Sequence, residues 1–128
     1  MITMVSSVLG WTALVFFVLA ELNHAAKQII KKRKQTVKIW CLLTGKQHRV
    51  WGYILFLIGF LHGILALVAI TEPAPLIIGS GCALFLCVML LTVTYLARRK
   101  LTHWLPYHKR LAAVSFVLAV LHTILVHT

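Results

Sequence analysis

Acidic residues are almost absent from this chain, and charge of either sign is scarce. The 128 residues include 2 acidic residues, Glu21 and Glu72, against 13 lysines and arginines, and only 12% of residues are charged while 61% are hydrophobic. Soluble domains carry about 25% charged and about 45–50% apolar residues. A globular chain of this length has too little interior to bury so much apolar surface. The composition therefore excludes an ordinary soluble domain and indicates an integral membrane protein.

Four stretches of the chain have the length and composition that a helix needs to cross a bilayer, roughly 20 mostly apolar residues. They cover residues 2–22, 50–70, 76–97 and 105–126. The first lacks the basic start and the small-residue cleavage site of a signal peptide, so we expect a retained helix. We predict an all-α, integral membrane four-helix bundle, a single transmembrane domain over residues 1–128. The basic segment 24–46, which contains Trp40, is predicted to suit an interfacial helix.

Positive charge is confined to two segments of the chain. All 13 lysines and arginines lie within residues 27–49 or 98–110. The positive-inside rule then places both segments in the cytoplasm and both termini on the non-cytoplasmic side. A formal net charge of +11 can indicate nucleic-acid binding, but topology and attraction to anionic lipid account for these cations. We expect membrane lipid and no nucleic acid as a partner, in a multi-pass protein of the cell membrane, a bacterial inner membrane.

The cysteines are few and badly placed for pairing. There are three, Cys41, Cys82 and Cys87, and the last two are five positions apart on one predicted helix, where they point in different directions. We predict neither a disulfide nor a cysteine metal site, because small apolar residues in a membrane core explain these thiols. No Cys-x-x-Cys-His sequence is present, which excludes covalent haem attachment of the c type.

Four of the seven histidines repeat at one spacing on the second and fourth predicted helices. His48 and His62 are 14 positions apart, and so are His108 and His122. On an α-helix this is about 1400° of rotation and about 21 Å of rise, so the two rings share one face at two depths. The surroundings repeat at a constant offset of 60. A cation follows each first histidine, and small residues lie one turn from the histidines.

Both helices are predicted to run outward from the cytoplasm, which places His48 level with His108 and His62 level with His122. Two opposed neutral imidazoles supply the axial ligands of a haem iron. Zinc would need three or four ligands at one depth. A lone intramembrane histidine often only bonds to a neighbouring helix, but four at a duplicated spacing favour function. Residues that leave room for the porphyrin are Gly52, Gly59, Ala112 and Ala119, and cations for the inner haem propionates are Arg49, Lys109 and Arg110.

This arrangement resembles the haem helices of the ferric reductase-like transmembrane domain, the membrane core of ferric reductases and NADPH oxidases. The resemblance covers roughly residues 47–126, with the third helix as a spacer, and rests on the duplicated histidine spacing. It implies two b haems, the inner held by His48 and His108 and the outer by His62 and His122, and electron transfer across the membrane. The chain departs from the family in having four predicted helices rather than five or six, and in lacking a flavin and NADPH domain.

The electron donor and acceptor stay open at this point. The resemblance implies a separate cytoplasmic flavin reductase or a membrane quinol as donor, and an acceptor outside the cell, so that the chain is one component of an oxidoreductase. Glu21 and His24 are candidates for accepting quinol protons, although a polar cap at a helix end is the commoner explanation. Two other classes remain, a haem-containing, quinol-linked anchor of a larger redox complex and a haem-free membrane interaction protein.

Overall fold

The computed structural model describes residues 2–33, 46–69 and 74–127, and these residues are almost entirely helical. Each of the four long helices is long and apolar enough to cross a membrane over most or all of its length. The prediction of an all-α protein with four such helices is therefore confirmed for this part of the chain. The helices are α1 (Ile2–Arg33), α2 (Lys46–Ala69), α3 (Pro75–Leu96) and α4 (Trp104–His127), and a short 3-10 helix (Ala97–Arg99) follows α3.

The first helix is longer than its apolar stretch. The predicted end near residue 22 is not a helix end, because α1 continues unbroken to Arg33. No proline or glycine lies between Gly10 and Gly45, so no residue of the strongly helix-breaking kinds interrupts it. The first ten residues of the predicted interfacial segment are thus a continuation of α1. Residues 34–45, with Trp40 and Cys41, lie outside the described residues.

Proline lies in the first turn of two helices. Pro75 is the first residue of α3, where its missing N–H costs no hydrogen bond. Pro106 falls in the first turn of α4, which begins at Trp104. Pro73 and the acidic Glu72 lie outside the described residues.

The helices pack as two antiparallel hairpins. The most extensive helix contacts join α1 to α2 and α3 to α4, while α2 and α3 share a smaller contact. Hydrogen bonds set the register, since Ser6 near the start of α1 meets His62 near the end of α2, and Ser80 of α3 meets His122 of α4. The helices α2 and α4 therefore run parallel, as predicted, and their backbones scarcely touch.

The buried apolar core of the described residues is small and is shared by all four helices. It consists of Phe17, Leu55, Val88 and Ala119, one residue from each helix. Leu55 lies midway along α2 between His48 and His62, so this core lies between the two histidine levels. Much of the remaining surface is apolar, and Leu76 is 72% exposed. Such a surface suits contact with membrane lipid rather than with water.

Candidate functional site

The structure brings His48 and His108 together, ring to ring. Their imidazole centroids are 6.3 Å apart and the ring planes meet at 82°. The two residues come from the parallel helices α2 and α4, so the contact is between helices and not along one. Trp104, one turn before His108 on α4, sets its indole against the same imidazole at 5.9 Å. The predicted inner pair is thus assembled in the fold.

A cavity of about 600 Å³ adjoins this pair and is lined by residues of all four helices. Ligand pockets of this size, about 300–1,000 Å³, hold small molecules and cofactors. The wall contains both histidines and four more of the residues singled out in the sequence, namely Arg49, Gly52, Lys109 and Ala112. Six of the eleven predicted site residues therefore converge on one cavity. Glu21, a candidate proton acceptor from the sequence, also lines the cavity. The other contributions of α1 and α3 were not predicted, and they include Phe17, Ala20, Val88, Leu91, Thr92 and Tyr95.

The charged groups of the cavity wall lie near its exposed rim. Arg49 is exposed and donates a hydrogen bond from its guanidinium to the Tyr95 hydroxyl at 3.2 Å. Lys109 is also exposed and lines the same cavity. Glu21, a half-buried carboxyl group of α1, is the acidic member of the wall. Arg110 is exposed and is absent from the residues lining this cavity, so the structure does not place it with the other two predicted cations.

The outer histidines, His62 and His122, are each held by the other helix of their own hairpin. His62 donates from Nδ1 to the Ser6 carbonyl at 2.8 Å, and the Ser6 hydroxyl lies 3.4 Å from the same nitrogen. His122 places its Nδ1 2.9 Å from the Ser80 hydroxyl. Each outer histidine is thus fixed in place by a hydrogen bond to a neighbouring helix.

Two glycines allow the outer rings to approach the neighbouring helices. A Cβ atom built on Gly10 would lie 2.9 Å from Cε1 of His62, and one built on Gly81 would lie 3.1 Å from Cε1 of His122. Both distances are below an ordinary carbon–carbon contact of about 3.5–4.0 Å. Glycine at these positions therefore lets each ring lie against the helix backbone. Neither glycine was singled out from the sequence.

The third helix is more than a spacer, contrary to the expectation from the sequence. Its Thr94 hydroxyl lies 3.2 Å from Nδ1 of His108, and its Ser80 hydroxyl contacts His122. Ser80 and Thr94 are 14 positions apart, the same separation as His108 and His122. Since α3 and α4 are antiparallel, one hydroxyl of α3 meets each histidine of α4. Only this matched spacing could have identified the two hydroxyls in the sequence.

The remaining small residues predicted to make room have different surroundings. A Cβ atom on Gly52 or Gly59 would meet no other atom within 4 Å, so both positions have open space beside them. Ala119 instead belongs to the buried core, packed with Phe17, Leu55 and Val88. A second cavity, about 260 Å³, is formed largely by apolar residues of α1 and α4, and neither His62 nor His122 lines it.

The other histidines and the cysteines lie apart from the two pairs. His103 is exposed in the turn before α4, and His127 at the end of α4 contacts the Trp11 ring at 5.5 Å. The side chain of His24 and the thiol of Cys41 lie outside what the structure describes. Cys82 and Cys87 are free thiols. Among the described residues, no three His, Cys, Asp or Glu side chains gather as a metal site, while His48 and His108 meet as a pair.

The inner pair fits ligation from two sides of one metal ion. Two imidazoles on opposite sides, each with a metal–nitrogen bond of about 2 Å, have ring centroids about 6 Å apart. The observed separation of His48 and His108 is 6.3 Å. The adjoining cavity and the cations at its rim suit a flat, acidic cofactor such as haem.

The chain matches no protein-family model, no curated protein and no solved structure.

Proposed function

We propose that this chain is a transmembrane electron-transfer protein that binds two b haems, organised as in the ferric reductase-like transmembrane domain. His48 and His108 hold the inner haem, and His62 and His122 hold the outer one. The observation that carries the proposal is the ring-to-ring placement of His48 and His108, which are 60 positions apart in sequence, in the wall of a cavity of about 600 Å³. Intramembrane ionisable residues are costly and are usually kept for function.

The residues of this chain supply ligation, charge and exclusion of water. The imidazoles provide axial ligands, and the haems supply the one-electron chemistry when bound. Arg49 and Lys109, at the rim of the cavity, are placed to pair with the propionates of the inner haem. The core of Phe17, Leu55, Val88 and Ala119 keeps water out of the layer between the two levels.

The proposed direction of electron transfer follows from the charge distribution. All 13 lysines and arginines lie in residues 27–49 and 98–110 of the sequence. The described ones Arg49 and Lys109 lie on the side of the bundle that carries His48 and His108. This side is the cytoplasmic one by the positive-inside rule, in the cell membrane of a bacterium. The pair His48 and His108 is then the inner one, and both termini lie outside. A membrane potential negative inside favours outward movement of an electron by about 2.3 kcal/mol for each 100 mV.

Two donors are compatible with the cytoplasmic side of this arrangement. A soluble flavin reductase would dock on the basic segments through charge complementarity. A membrane quinol is the second candidate, and the observation that favours it is Glu21, a carboxyl group in the wall of the His48–His108 cavity. A quinol releases protons when it is oxidised, and a carboxylate beside the site accepts them. The acceptor lies outside the cell.

A pyridine haemochrome assay on the purified full-length chain tests the proposal. We expect two non-covalent b haems per polypeptide and a visible spectrum typical of six-coordinate, bis-histidine iron. A single haem would reject the two-haem form of the proposal. A colourless protein from haem-replete cells would reject haem binding altogether and would favour the haem-free interaction protein. A haem-containing anchor would bind haem but would pass no electrons to the outside when isolated.

A further inference from the structure

Three of the four paired histidines use the same ring nitrogen to contact a neighbouring helix. Nδ1 of His62 lies 2.8 Å from the Ser6 carbonyl, Nδ1 of His122 lies 2.9 Å from the Ser80 hydroxyl, and Nδ1 of His108 lies 3.2 Å from the Thr94 hydroxyl. In neutral histidine one ring nitrogen donates and the other accepts. The partner of Nδ1 therefore decides which nitrogen carries the proton.

The partner of His62 leaves a single choice of tautomer. A backbone carbonyl has no proton and can only accept, so Nδ1 of His62 must donate to the Ser6 oxygen. The second nitrogen, Nε2, is then unprotonated in the neutral ring. Its lone pair is the one that a metal ion binds.

The hydroxyls of Ser80 and Thr94 also act only as acceptors toward their histidines, because each donates its own proton to a backbone carbonyl. The Ser80 hydroxyl donates to the carbonyl of Ile77 at 3.0 Å, and the Thr94 hydroxyl donates to the carbonyl of Leu91 at 2.9 Å. Each hydroxyl has one proton to give. Having given it to the backbone of its own helix, each oxygen can only accept from the histidine. Nδ1 of His122 and Nδ1 of His108 must therefore be donors.

We propose that Ser80, Thr94 and the Ser6 carbonyl are positioning groups that fix these three histidines as Nδ1–H tautomers, with Nε2 free to bind metal before any haem arrives. Metal-bound histidines usually donate their second N–H to a protein acceptor, which orients the ring and raises its basicity. The inference deepens the proposed function, because the tautomer is useful only if a metal binds Nε2. The tautomer itself is nevertheless a property of the chain without haem.

The first test measures the tautomers directly. The full-length chain, labelled with ¹⁵N-histidine and produced in haem-depleted cells, is placed in lipid nanodiscs, and circular dichroism verifies that its helices are retained. At a pH high enough to keep imidazoles neutral, the ¹⁵N shifts should report a protonated Nδ1 and an unprotonated Nε2 for His62, His108 and His122. Single histidine substitutions assign the signals. Protonated Nε2 at these residues, or an equal mixture of tautomers, would overturn the inference.

The second test removes one acceptor at a time. Ser80→Ala should weaken the preference of His122 for the Nδ1–H tautomer, and Thr94→Val should do the same for His108. The carbonyls of Ile77 and Leu91, which also lie beside these rings, stay as weaker acceptors. Ser80→Thr should restore the preference of His122. Ser115→Ala is the matched control, since Ser115 is fully buried and its hydroxyl donates to the Leu111 carbonyl at 2.8 Å within α4. We expect no change in any histidine tautomer in this control. A tautomer of His122 unaffected by Ser80→Ala would overturn the role of Ser80.

The reduction potentials of the haem-loaded protein provide a separate test. Loss of the acceptor makes the imidazole a weaker electron donor, which destabilises ferric iron. Ser80→Ala should therefore raise the reduction potential of the outer component alone, Thr94→Val should raise that of the inner component alone, and Ser80→Thr should restore the first. If the chain bound no haem, the proposed function would fail while the tautomer measurement still decided the inference. If haem bound but the tautomers were mixed, the inference would fail alone.

Discussion

The imidazoles of His48 and His108 lie edge to face with centroids 6.3 Å apart, although 60 positions separate the two residues in the chain. The contact joins α2 and α4, whose backbones scarcely touch, so the side chains bridge a gap between the helices. That gap continues into the cavity of about 600 Å³ at the same level. The structure thus places two imidazoles from different helices beside a space large enough for a small molecule or cofactor.

The glycines beside the outer histidines should be needed for the outer haem. Gly10→Ala places a methyl group 2.9 Å from His62, and Gly81→Ala places one 3.1 Å from His122. We expect each to push its ring off the ligating position and to reduce haem content from two to one, at a cost in stability of about 1–3 kcal/mol. Gly79→Ala is the control, because a Cβ there meets nothing within 4 Å. Retention of both haems in Gly10→Ala and Gly81→Ala would contradict the placement of the rings.

Arg49 should affect the reduction potential and the retention of the inner haem. Its guanidinium lies in the cavity wall and donates to the Tyr95 hydroxyl. Nearby positive charge favours the reduced, less positive iron centre, so Arg49→Gln should lower the potential of the inner component and weaken inner haem retention. Redox titration followed by absorbance measures both. Arg99→Gln is the control, as Arg99 is exposed on the 3-10 helix outside this wall. Equal shifts in the two variants would mean that general surface charge is responsible.

Glu21 should affect the rate of haem reduction by a quinol donor and not the rate of reduction by a soluble donor. If the carboxylate accepts quinol protons, Glu21→Gln should slow haem reduction by a quinol analogue on the order of 100-fold, a typical effect of losing a general base. Reduction by dithionite should be unchanged, since it needs no proton acceptor. Stopped-flow absorbance separates the two. Quinol reduction at the unaltered rate in Glu21→Gln would remove this carboxyl group from the donor reaction.

The side of the membrane on which the basic segments lie determines the direction of transfer. In a background without Cys41, Cys82 and Cys87, single cysteines at Lys32 and Glu72 should respond oppositely to an impermeant thiol reagent applied to intact cells. We expect Glu72→Cys to be labelled and Lys32→Cys to be protected until the membrane is opened. The reverse pattern would place the basic segments outside and reverse the proposed flow of electrons.

Much of this fold follows from local sequence, because apolar length and glycine or proline placement determine helices in a bilayer. The contact between His48 and His108 was also predictable, since a separation of 14 on two parallel helices fixes both face and depth. The packing of α1 against α2 and the partner Ser6 were not. Serine and threonine are common in membrane helices, and nothing local marks the ones that meet a histidine on another helix.

The surroundings of Ala119 were likewise not predictable from the sequence. Its position three residues before His122 suggested a place beside the porphyrin, by analogy with Gly59 before His62. In the fold it is 5% exposed and packs in the core with Phe17 and Leu55. A small residue one turn from a histidine faces either a ligand or a neighbouring helix, and only the packing of all four helices decides between them.

The central claim is that the histidines act in pairs by depth, and redox titration of four single-alanine variants tests it most directly. Ligands at one depth serve one iron, and about 21 Å of helix separates the depths. We predict that His62→Ala and His122→Ala each eliminate the same outer component and leave the inner one, while His48→Ala and His108→Ala each eliminate the inner component alone. If His62→Ala and His122→Ala eliminated different components, or if any variant retained both, the paired-ligand account would be contradicted.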